Sequence, residues 1–461
     1  MRSSALVLLF LSFVFPAASQ LTPEQKIMDF QQLAGLYVKQ YGPYEWKRDV
    51  LRFDLMDLKP WLQRIEASAS DIEFYEIMSE YVASLRDAHA AYYLPSTFWA
   101  DAGLRADIYD GKVLIDVVNR SLLPRADYPF DVGDEIVSVD GKPAMDLIKE
   151  LARFSSYANS RSTLRYAAHW IGIRDQVIYP RAYEIGDTST FVIRRDGGEL
   201  ETYQLKWNKH GRALTTNGKV PNPRRADGDD PEGRPIAFAP APEAVPHYMH
   251  PLAALGRNYI SKPMALRNFG SRAPVFTIAN FTVRLGRSSS DPFYTGTYVS
   301  EGQRIGFIRI PHFSPVSQFA ALLLLDREIA YMRQNTDGLV VDIMRNPGGN
   351  GCYAEEVMRR FIPRPFGTMA YSVRATLQWV NAFDEAIQIA KDEEAEEWEI
   401  NLLSSFRDML EAAFAENRGL TGALPLCSLG YERDPVRDRE GTSIAYEKPL
   451  IVLTDEFTTS A

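Results

Sequence analysis

The stretch "GLVVDIMRNPGGNGCYAEEV", residues 338–357, decides the fold. Its first residues form a continuous apolar run, which is typical of a strand with both faces of its sheet covered. Pro347, Gly348 and Gly349 then turn the chain into a segment with a helical pattern. A strand, a tight corner and a helix form the repeating unit of an α/β sheet with parallel strands.

The corner itself indicates a binding geometry. Gly348 and Gly349 tolerate positive φ, which lets successive backbone N–H groups point at one spot, and the following helix N-terminus adds positive partial charge there. A carboxylate, a phosphate or a developing oxyanion would fit. The phosphate-loop and dinucleotide motifs are both absent from the sequence. From these residues alone, a tight turn with no ligand is the simpler interpretation.

A second strand end lies in "PLIVLTDEFTTSA", residues 449–461. It reads as a short buried strand, a polar corner and then Ser460. Hydrolases of several folds expose a nucleophilic serine at such a corner. Because the carboxyl ends of parallel strands meet at one edge of a sheet, we expect Ser460 and the Gly348–Gly349 corner to face a common cleft.

Strands and helices alternate around these two stretches. "GQRIGFIRI" predicts a strand, and "SPVSQFAALLLLDREIAYMRQN" predicts a helix capped at Ser314. A helical block over residues 377–417 interrupts the alternation. These patterns predict an α/β domain with a mixed sheet over residues 274–461.

The preceding residues divide into three parts. Residues 21–96 have a helical pattern, with Asp71 as the N-cap of a helix that continues to about Ala90. Residues 97–208 are rich in strand patterns and contain a helix that starts near Met145. Residues 209–273 are rich in Pro, Gly, Asp and Arg and read as a linker or insertion. The fold class is therefore multidomain, α/β and α+β.

Composition and the N-terminus restrict the functional class. The 461 residues carry a net charge of −9, which argues against nucleic acid as a partner. Residues 1–20 combine Arg2, an apolar run and small residues, as in a secretory signal peptide, with an uncleaved membrane anchor as the alternative. We expect export to the periplasm or the extracellular space, and no integral membrane segment after signal removal.

The sequence gives weak signals for metal or disulfide chemistry. Cys352 and Cys427 are the two cysteines, and unpaired thiols are slightly favoured over a disulfide between them. His247 and His250 lie close together, but no third ligand is evident. We therefore expect neither a metal nor a cofactor.

Three stretches together resemble the tail-specific, or carboxyl-terminal-processing, serine proteases and their tricorn-like relatives. "VGDEIVSVDGKPAMDLI" is similar to a PDZ domain, with its strand, turn and ligand-groove helix. "IGFIRIPHFS" through "DGLVVDIMRNPGG" is similar to the family's approach to its Asn-Pro-Gly-Gly corner, and "PLIVLTDEFTTSA" to its nucleophile strand. The resemblance implies a helical domain, a PDZ-like domain and a catalytic α/β domain, in that order.

The resemblance also implies an active site. Ser460 would be the nucleophile, and the amides of Ala461 and of Gly348 or Gly349 would bind the oxyanion. In the tricorn-like branch the base is a histidine in a Ser-His sequence, which places it at His89 in "SLRDAHAAY", with Ala88 in the serine's place. In the other branch it is a lysine roughly 25 residues after the serine, a position beyond Ala461.

Two further residues bear on this site. Asp87 is expected not to face His89, because residues so close on a helix point in different directions. Met344 stands where the family usually has an arginine, and Arg345 follows one place later, which puts a structural arginine contact in doubt.

The predicted function is an exported serine endopeptidase that cleaves peptides or protein tails through an acyl-enzyme. Its PDZ-like domain would capture a peptide or protein substrate by strand addition. The alternative is a catalytically inactive protein that binds peptides or apolar ligands on the same scaffold, which Ala88 and the missing lysine favour. We also expect the chain to be a fragment, cut where a helix after Ser460 should begin.

Overall fold

The structure is a computed structural model that describes residues 20–155, 157–215, 269–425, 427 and 430–459. Residues 1–19 of the predicted signal peptide, most of the predicted linker, His247 and His250 lie outside these residues. So do Ser460 and Ala461. Within the described residues, no helix has the length and apolar character needed to cross a membrane.

Four helices form the N-terminal domain, and an aromatic core holds them together. Phe30 and Tyr81 meet edge to face with their ring centroids 4.9 Å apart, and Trp61 also meets Tyr81 edge to face, at 5.4 Å. The helices are α1 (Pro23–Gln40), α2 (Tyr44–Leu51), α3 (Lys59–Glu66) and α4 (Asp71–Ala83).

Two predictions about α4 are wrong. Its N-cap is Ser70 and not Asp71, because the Ser70 hydroxyl accepts the N–H of Glu73. The helix also ends at Ala83, and residues 84–90 form a loop that we call the His89 loop. Arg86 takes a φ of 52° there, which ends the helical path.

The β-rich domain follows in sequence. Its main sheet has the order β2-β3-β4-β7-β8, with β5 beside β4, and every pairing is antiparallel. A small sheet has the order β6-β1-β9. The strands are β1 (Trp99–Asp101), β2 (Leu104–Tyr109), β3 (Lys112–Val118), β4 (Glu135–Val139), β5 (Lys142–Pro143), β6 (Ile173–Asp175), β7 (Thr188–Arg194), β8 (Leu200–Lys206) and β9 (Asn208–His210).

Two helices cover this sheet, α5 (Ala144–Leu151) and α6 (Ser160–His169). Short 3-10 turns follow at Ala152–Phe154, Trp170–Gly172 and Ala182–Glu184. Strand β2 lies at the edge of the sheet, and α6 packs against it. An edge strand beside a helix is the geometry that strand addition by a peptide requires.

The C-terminal domain is built on a five-stranded mixed sheet of order β10-β11-β12-β13-β18. Strands β12, β13 and β18 are parallel, and the other neighbours are antiparallel. The fold class expected from the sequence is thereby confirmed. The strands are β10 (Thr282–Leu285), β11 (Tyr294–Ser300), β12 (Gln303–Arg309), β13 (Gly338–Asp342) and β18 (Leu450–Leu453).

The crossover from β12 to β13 is α7 (Gln318–Asn335), and α8 (Gly351–Met358) follows the glycine corner. The predicted cap of α7 at Ser314 is wrong, because Ser317 accepts the N–H of Ala320. Four two-residue strands pair beside this sheet, β14 with β17 and β15 with β16. They are β14 (Phe366–Gly367), β15 (Ala370–Tyr371), β16 (Leu424–Pro425) and β17 (Glu432–Arg433).

Strand β13 is buried, as its apolar run predicts, but β18 is not. Ile451 and Val452 are 62% and 49% exposed. The interpretation of β18 as a buried strand is therefore wrong for the described residues, in which β18 is the outermost strand and pairs with β13.

The helical block is a hairpin of α9 (Leu377–Asp392) and α10 (Glu397–Ala415) with its own apolar core. Phe383 and Phe406 stack in that core with their centroids 5.9 Å apart. Just before α9, Arg374 forms a two-pronged ion pair with Glu45 of α2, with N–O distances of 2.7 and 2.6 Å. The segment that leads into the block therefore joins the C-terminal domain to the N-terminal helices.

The two cysteines form a disulfide, so the preference for unpaired thiols is wrong. Cys352 and Cys427 are 75 residues apart in sequence, yet their Cα atoms lie 5.0 Å apart. Cys352 is in the first turn of α8, directly after the glycine corner. The disulfide thus fixes the start of that helix.

Candidate active site

The two strand ends named by the sequence lie side by side. Strands β13 and β18 are neighbouring and parallel, and Asp342 is in register with Leu453. Because parallel strands end at the same edge of a sheet, the glycine corner and the residues before Ser460 meet there. This confirms that both corners belong to parallel strands of one sheet.

The corner after β13 requires glycine. Gly348 has a φ of 88° and Gly349 a φ of 147°, values that L-residues rarely adopt. A Cβ atom at Gly349 would also lie 2.4 Å from the carbonyl carbon of Phe313. The close approach arises because Phe313 donates to the Gly348 carbonyl at 2.7 Å and accepts from the Asn350 amide at 2.9 Å.

The Gly348 amide is used inside the corner. It donates to Oδ1 of Asn346 at 2.7 Å, and the Asn346 side chain in turn donates to the Ile310 carbonyl at 3.0 Å. In this conformation the Gly348 N–H is therefore not directed at a bound oxyanion. The assignment of Gly348, Gly349 and Ala461 as oxyanion donors stays a prediction.

Residues 455–459, which we call the nucleophile turn, connect β18 to Ser460. The hydroxyl of Thr458 donates to the Ile343 carbonyl at 2.9 Å, and the Thr459 amide donates to the Asn346 carbonyl at 3.0 Å. The residue before Ser460 is thus hydrogen-bonded directly to the glycine corner. Ser460 and Ala461 themselves lie outside the described residues.

The His89 loop presents a histidine beside a carboxylate. The His89 side chain is 47% exposed, and its Nδ1 lies 3.8 Å from Oδ1 of Asp87. The same oxygen accepts the His89 backbone N–H at 2.9 Å. The expectation that Asp87 does not face His89 is therefore wrong, because these residues lie beyond the helix end and the i, i+2 rule for helices does not apply.

Tyr41 and Lys47 support this loop from beneath. The Tyr41 hydroxyl donates to Oδ2 of Asp87 at 2.6 Å, and Lys47 Nζ donates to the carbonyls of Leu85 and Arg86. The Tyr41 carbonyl accepts from Arg374 at 2.8 Å. A chain of contacts thus runs from Arg374, just before the helical block, through Tyr41 to the carboxylate beside His89.

The Asp87 carboxylate changes the titration of the histidine. Its hydrogen bond raises the pKa of His89, against the opposing effect of burial. Burial would by itself raise the pKa of Asp87, but hydrogen bonds from His89 and Tyr41 hold it well below its ordinary value. Asp87 is therefore ionised at neutral pH, and it favours a proton on the His89 nitrogen that faces it.

Arg345 makes a structural arginine contact, although Met344 occupies the position where the family usually has its arginine. Its side chain is fully buried and makes ion pairs with Asp107 at 2.9 Å and Asp116 at 3.2 Å. It also donates to the Tyr109 hydroxyl at 2.6 Å. These partners lie on β2 and β3 of the other domain and were not predicted from the sequence.

Two other histidines, His169 and His312, lie in partly or fully buried environments. Burial lowers the pKa of His169 to about 3, and it also lowers the pKa of His312. Nδ1 of His312 accepts the Ser314 amide at 3.1 Å. Among the described residues, no group of three or more His, Cys, Asp or Glu side chains is placed to hold a metal ion.

Comparison with known families agrees with this architecture. Residues 100–219 match the model of a PDZ domain, and residues 304–461 match that of peptidase family S41. The two matches together support a tail-specific serine-type protease with a PDZ domain, as the three motifs predicted.

Individual relatives extend the likeness over nearly the whole chain. A protein of Chlamydia trachomatis serovar D is 22% identical over a stretch that covers 99% of this chain and 81% of the relative. An uncharacterized protein of Chlamydia muridarum matches with the same identity and coverage. The structure of mature CPAF is 18% identical, covers 95% of this chain and 80% of that chain, and superposes with a TM-score of 0.67. A structure of mature CPAF complexed with lactacystin, 17% identical, has the same TM-score, with 94% and 80% coverage. These structures show the shared fold.

Proposed function

We propose that the chain is an exported serine endopeptidase in which Ser460 is the nucleophile and His89 the general base. One observation carries the proposal: the Thr459 amide donates a hydrogen bond to the Asn346 carbonyl at the glycine corner. This contact supports a nucleophile within reach of backbone N–H donors, which is the arrangement that acyl transfer needs.

The chemistry follows from these groups. Asp87 faces Nδ1 of His89, so Nε2 is the nitrogen that would take the Ser460 proton as Oγ forms a bond to the peptide carbonyl carbon. Corner amides would stabilise the oxyanion, and losing one such donor typically costs roughly 3–4 kcal/mol of barrier. The imidazolium would then protonate the leaving amine as the C–N bond breaks, and water would hydrolyse the acyl-enzyme.

The proposed substrate is an extended peptide or protein tail. The edge position of β2 beside α6 supports capture by strand addition in the PDZ-like domain. Export through the residue 1–20 signal is part of the same proposal. The disulfide between Cys352 and Cys427 supports it, because such bonds persist in oxidising compartments.

A second candidate is a catalytically inactive peptide-binding protein. The engaged Gly348 amide favours it, because an active corner would need that N–H to leave Asn346 or a different donor to replace it. Ala88 favours it as well, since the tricorn-like branch has a serine at that position.

Labelling by a fluorophosphonate probe separates the two functions. We expect the full chain to be labelled covalently, Ser460→Ala not to be labelled, and His89→Ala to be labelled about 10²- to 10⁴-fold more slowly. His210→Ala serves as the control, because His210 stacks on Trp99 in the small β6-β1-β9 sheet. Equal rates for the His89→Ala variant and the unmodified chain would exclude His89 as the base, and no labelling of the unmodified chain would favour the binding protein.

A further inference from the structure

The nucleophile turn is attached to the PDZ-like domain through Phe457. The Phe457 side chain is fully buried. Its ring centroid lies 4.4 Å from Cζ of Arg165 on α6 and 5.8 Å from Cζ of Arg345 after β13. Both distances are within the range of cation–π attraction. One aromatic side chain of the turn therefore contacts two arginines from different domains.

The same two arginines converge on one carboxylate. Asp107 on β2 is fully buried. It accepts Nε and Nη2 of Arg165 at 2.9 and 2.6 Å, and Nη2 of Arg345 at 2.9 Å. Its Oδ1 also accepts the Ile108 amide at 2.7 Å. Asp107 is thus the common anchor of both side chains that contact Phe457.

Each arginine also binds the backbone or the side chains of the turn. Nη1 of Arg165 pairs with Glu456 at 2.5 Å, and the Ser162 hydroxyl, one helical turn earlier, donates to the Glu456 carbonyl at 3.2 Å. The backbone amide of Arg345 donates to Oδ1 of Asp455 at 2.8 Å. The turn is therefore held from the α6 side and from the glycine-corner side together.

The charges explain why this arrangement is fixed. A buried charge without a partner is strongly unfavourable, so the arginine partners of the buried Asp107 and Asp116 are costly to remove. The two guanidinium groups cannot follow a shifted turn without leaving a buried carboxylate unpaired. The Phe457 contacts transmit that constraint to the residues directly before Ser460.

We propose that Arg165 and Arg345 are positioning residues that lock the nucleophile turn onto Asp107 of the PDZ-like domain and thereby set the place of Ser460 relative to the glycine corner. The proposal rests on the proposed function insofar as Ser460 is the attacking group. In it, the PDZ-like domain supports the catalytic corner structurally, in addition to any peptide it captures.

Arg165→Gln in the full chain tests this role. Asp107 keeps its ion pair with Arg345 in this variant, so no buried carboxylate loses every arginine and the fold is expected to survive. The matched control is Arg105→Gln. Arg105 lies on β2, pairs with Asp101 at 2.9 and 3.0 Å, and has an 11% exposed side chain against 12% for Arg165.

The first readout is the rate of fluorophosphonate labelling. It is resolved into the affinity for the probe and the rate of the covalent step that follows binding. We expect Arg165→Gln to lower the rate of that step at least tenfold while leaving probe affinity within about twofold, and Arg105→Gln to leave both near the unmodified values. An Arg165→Lys variant should not restore the rate, because one ammonium cannot reach Asp107 and Glu456 together. Equal rates for the Arg165→Gln and Arg105→Gln variants, or full rescue by lysine, would overturn the proposal.

The second readout is amide hydrogen exchange of residues 454–459, which needs no activity. We expect faster exchange there in Arg165→Gln than in the control, with exchange in β13 unchanged. If the unmodified chain is not labelled by the probe, the proposed function fails, and this exchange readout alone decides whether the arginines hold the turn. Unchanged protection of the turn would overturn the proposal in either case.

Discussion

The nucleophile turn precedes the proposed nucleophile and the His89 loop carries the proposed base, and the two segments are held in different ways. Phe457 in the turn is fully buried, and its neighbours Arg345 and Asp107 are buried as well. The His89 side chain is 47% exposed and lies beside the half-buried Asp87. Buried ion pairs fix the turn, whereas a few hydrogen bonds at a helix end hold the loop.

The two regions should therefore affect different properties: the turn affects the stability of the fold, and the loop affects the protonation of His89. A change in the turn disturbs buried charges, whose loss affects the folded state as a whole. A change in the loop alters a partly solvated pair, so its main effect falls on protonation of His89. Substitutions in the two regions should therefore be distinguishable by unfolding experiments and by pH profiles.

Arg345→Met is expected to have the largest effect. Removing one partner of a buried ion-pair network typically costs about 3–5 kcal/mol, because Asp107 and Asp116 lose a buried cation. Urea unfolding at pH 7 measures this loss. Arg194→Met, which removes a half-exposed pair with Glu135, is the control and should cost less than about 1 kcal/mol. Similar losses in both variants would show that the buried network contributes nothing special.

Removing the disulfide should have the next largest effect. Replacement of Cys352 and Cys427 together by serine is expected to lower the unfolding free energy by about 2–4 kcal/mol, because the bond closes a long loop. The measurement is unfolding with and without reductant, and the double variant should be insensitive to reductant. Two thiols that react with Ellman's reagent in the native, unreduced chain would contradict the disulfide.

Asp87→Asn tests the loop through its pH profile. The carboxylate raises the pKa of His89, and the base works only when neutral, so labelling should increase as pH rises through that raised pKa. In the variant the pKa of His89 falls, and the acid limb of the profile should move to lower pH. At neutral pH the rate loss should stay below the roughly 10⁴-fold seen for a buried orienting aspartate.

The control for this profile is Asp54→Asn, because Asp54 accepts from Tyr44 and Met56 outside the His89 loop. Its acid limb should coincide with that of the unmodified chain. An acid limb that does not move in Asp87→Asn would show that Asp87 does not govern the titrating base.

Glu45→Gln is expected to have the smallest effect. Arg374 lowers the pKa of Glu45, so the pair contributes stability above the ordinary glutamate pKa of about 4.3 and loses it as pH falls through the lowered value. Because the Glu45 side chain is partly exposed, we expect a loss below about 1 kcal/mol at pH 7. Unfolding at pH 7 and at pH 3 should show the difference from the unmodified chain shrinking at the lower pH.

The outline of the fold was predictable because its signals are local. The apolar run of β13, the glycines of the corner and the pattern of the β-rich domain each depend on residues within one segment. Their order along the chain then indicated the family. Helix boundaries were less certain: Ser314 and Ser317 are both capping residues by type, and only the geometry of α7 selects Ser317.

The contacts of the candidate site could be predicted only in part. Gly348 and Gly349 were identified because a corner with positive φ favours glycine, and glycines after a predicted strand can be recognised in the sequence. The pairing of Asp87 with His89 was missed because it depends on where α4 ends. The hydrogen bond from the Gly348 amide to the Asn346 side chain was missed because it depends on a side-chain rotamer.

The sequence by itself determined the strands, the glycine corner and the order of domains, since backbone preference and apolar pattern act over a few residues. Only the tertiary structure decided that Arg345 reaches Asp107, 238 positions away, and that Cys352 meets Cys427. Charge pairs and disulfides between distant segments leave no periodic pattern in the chain. They form because packing removes water and brings particular side chains within bonding distance.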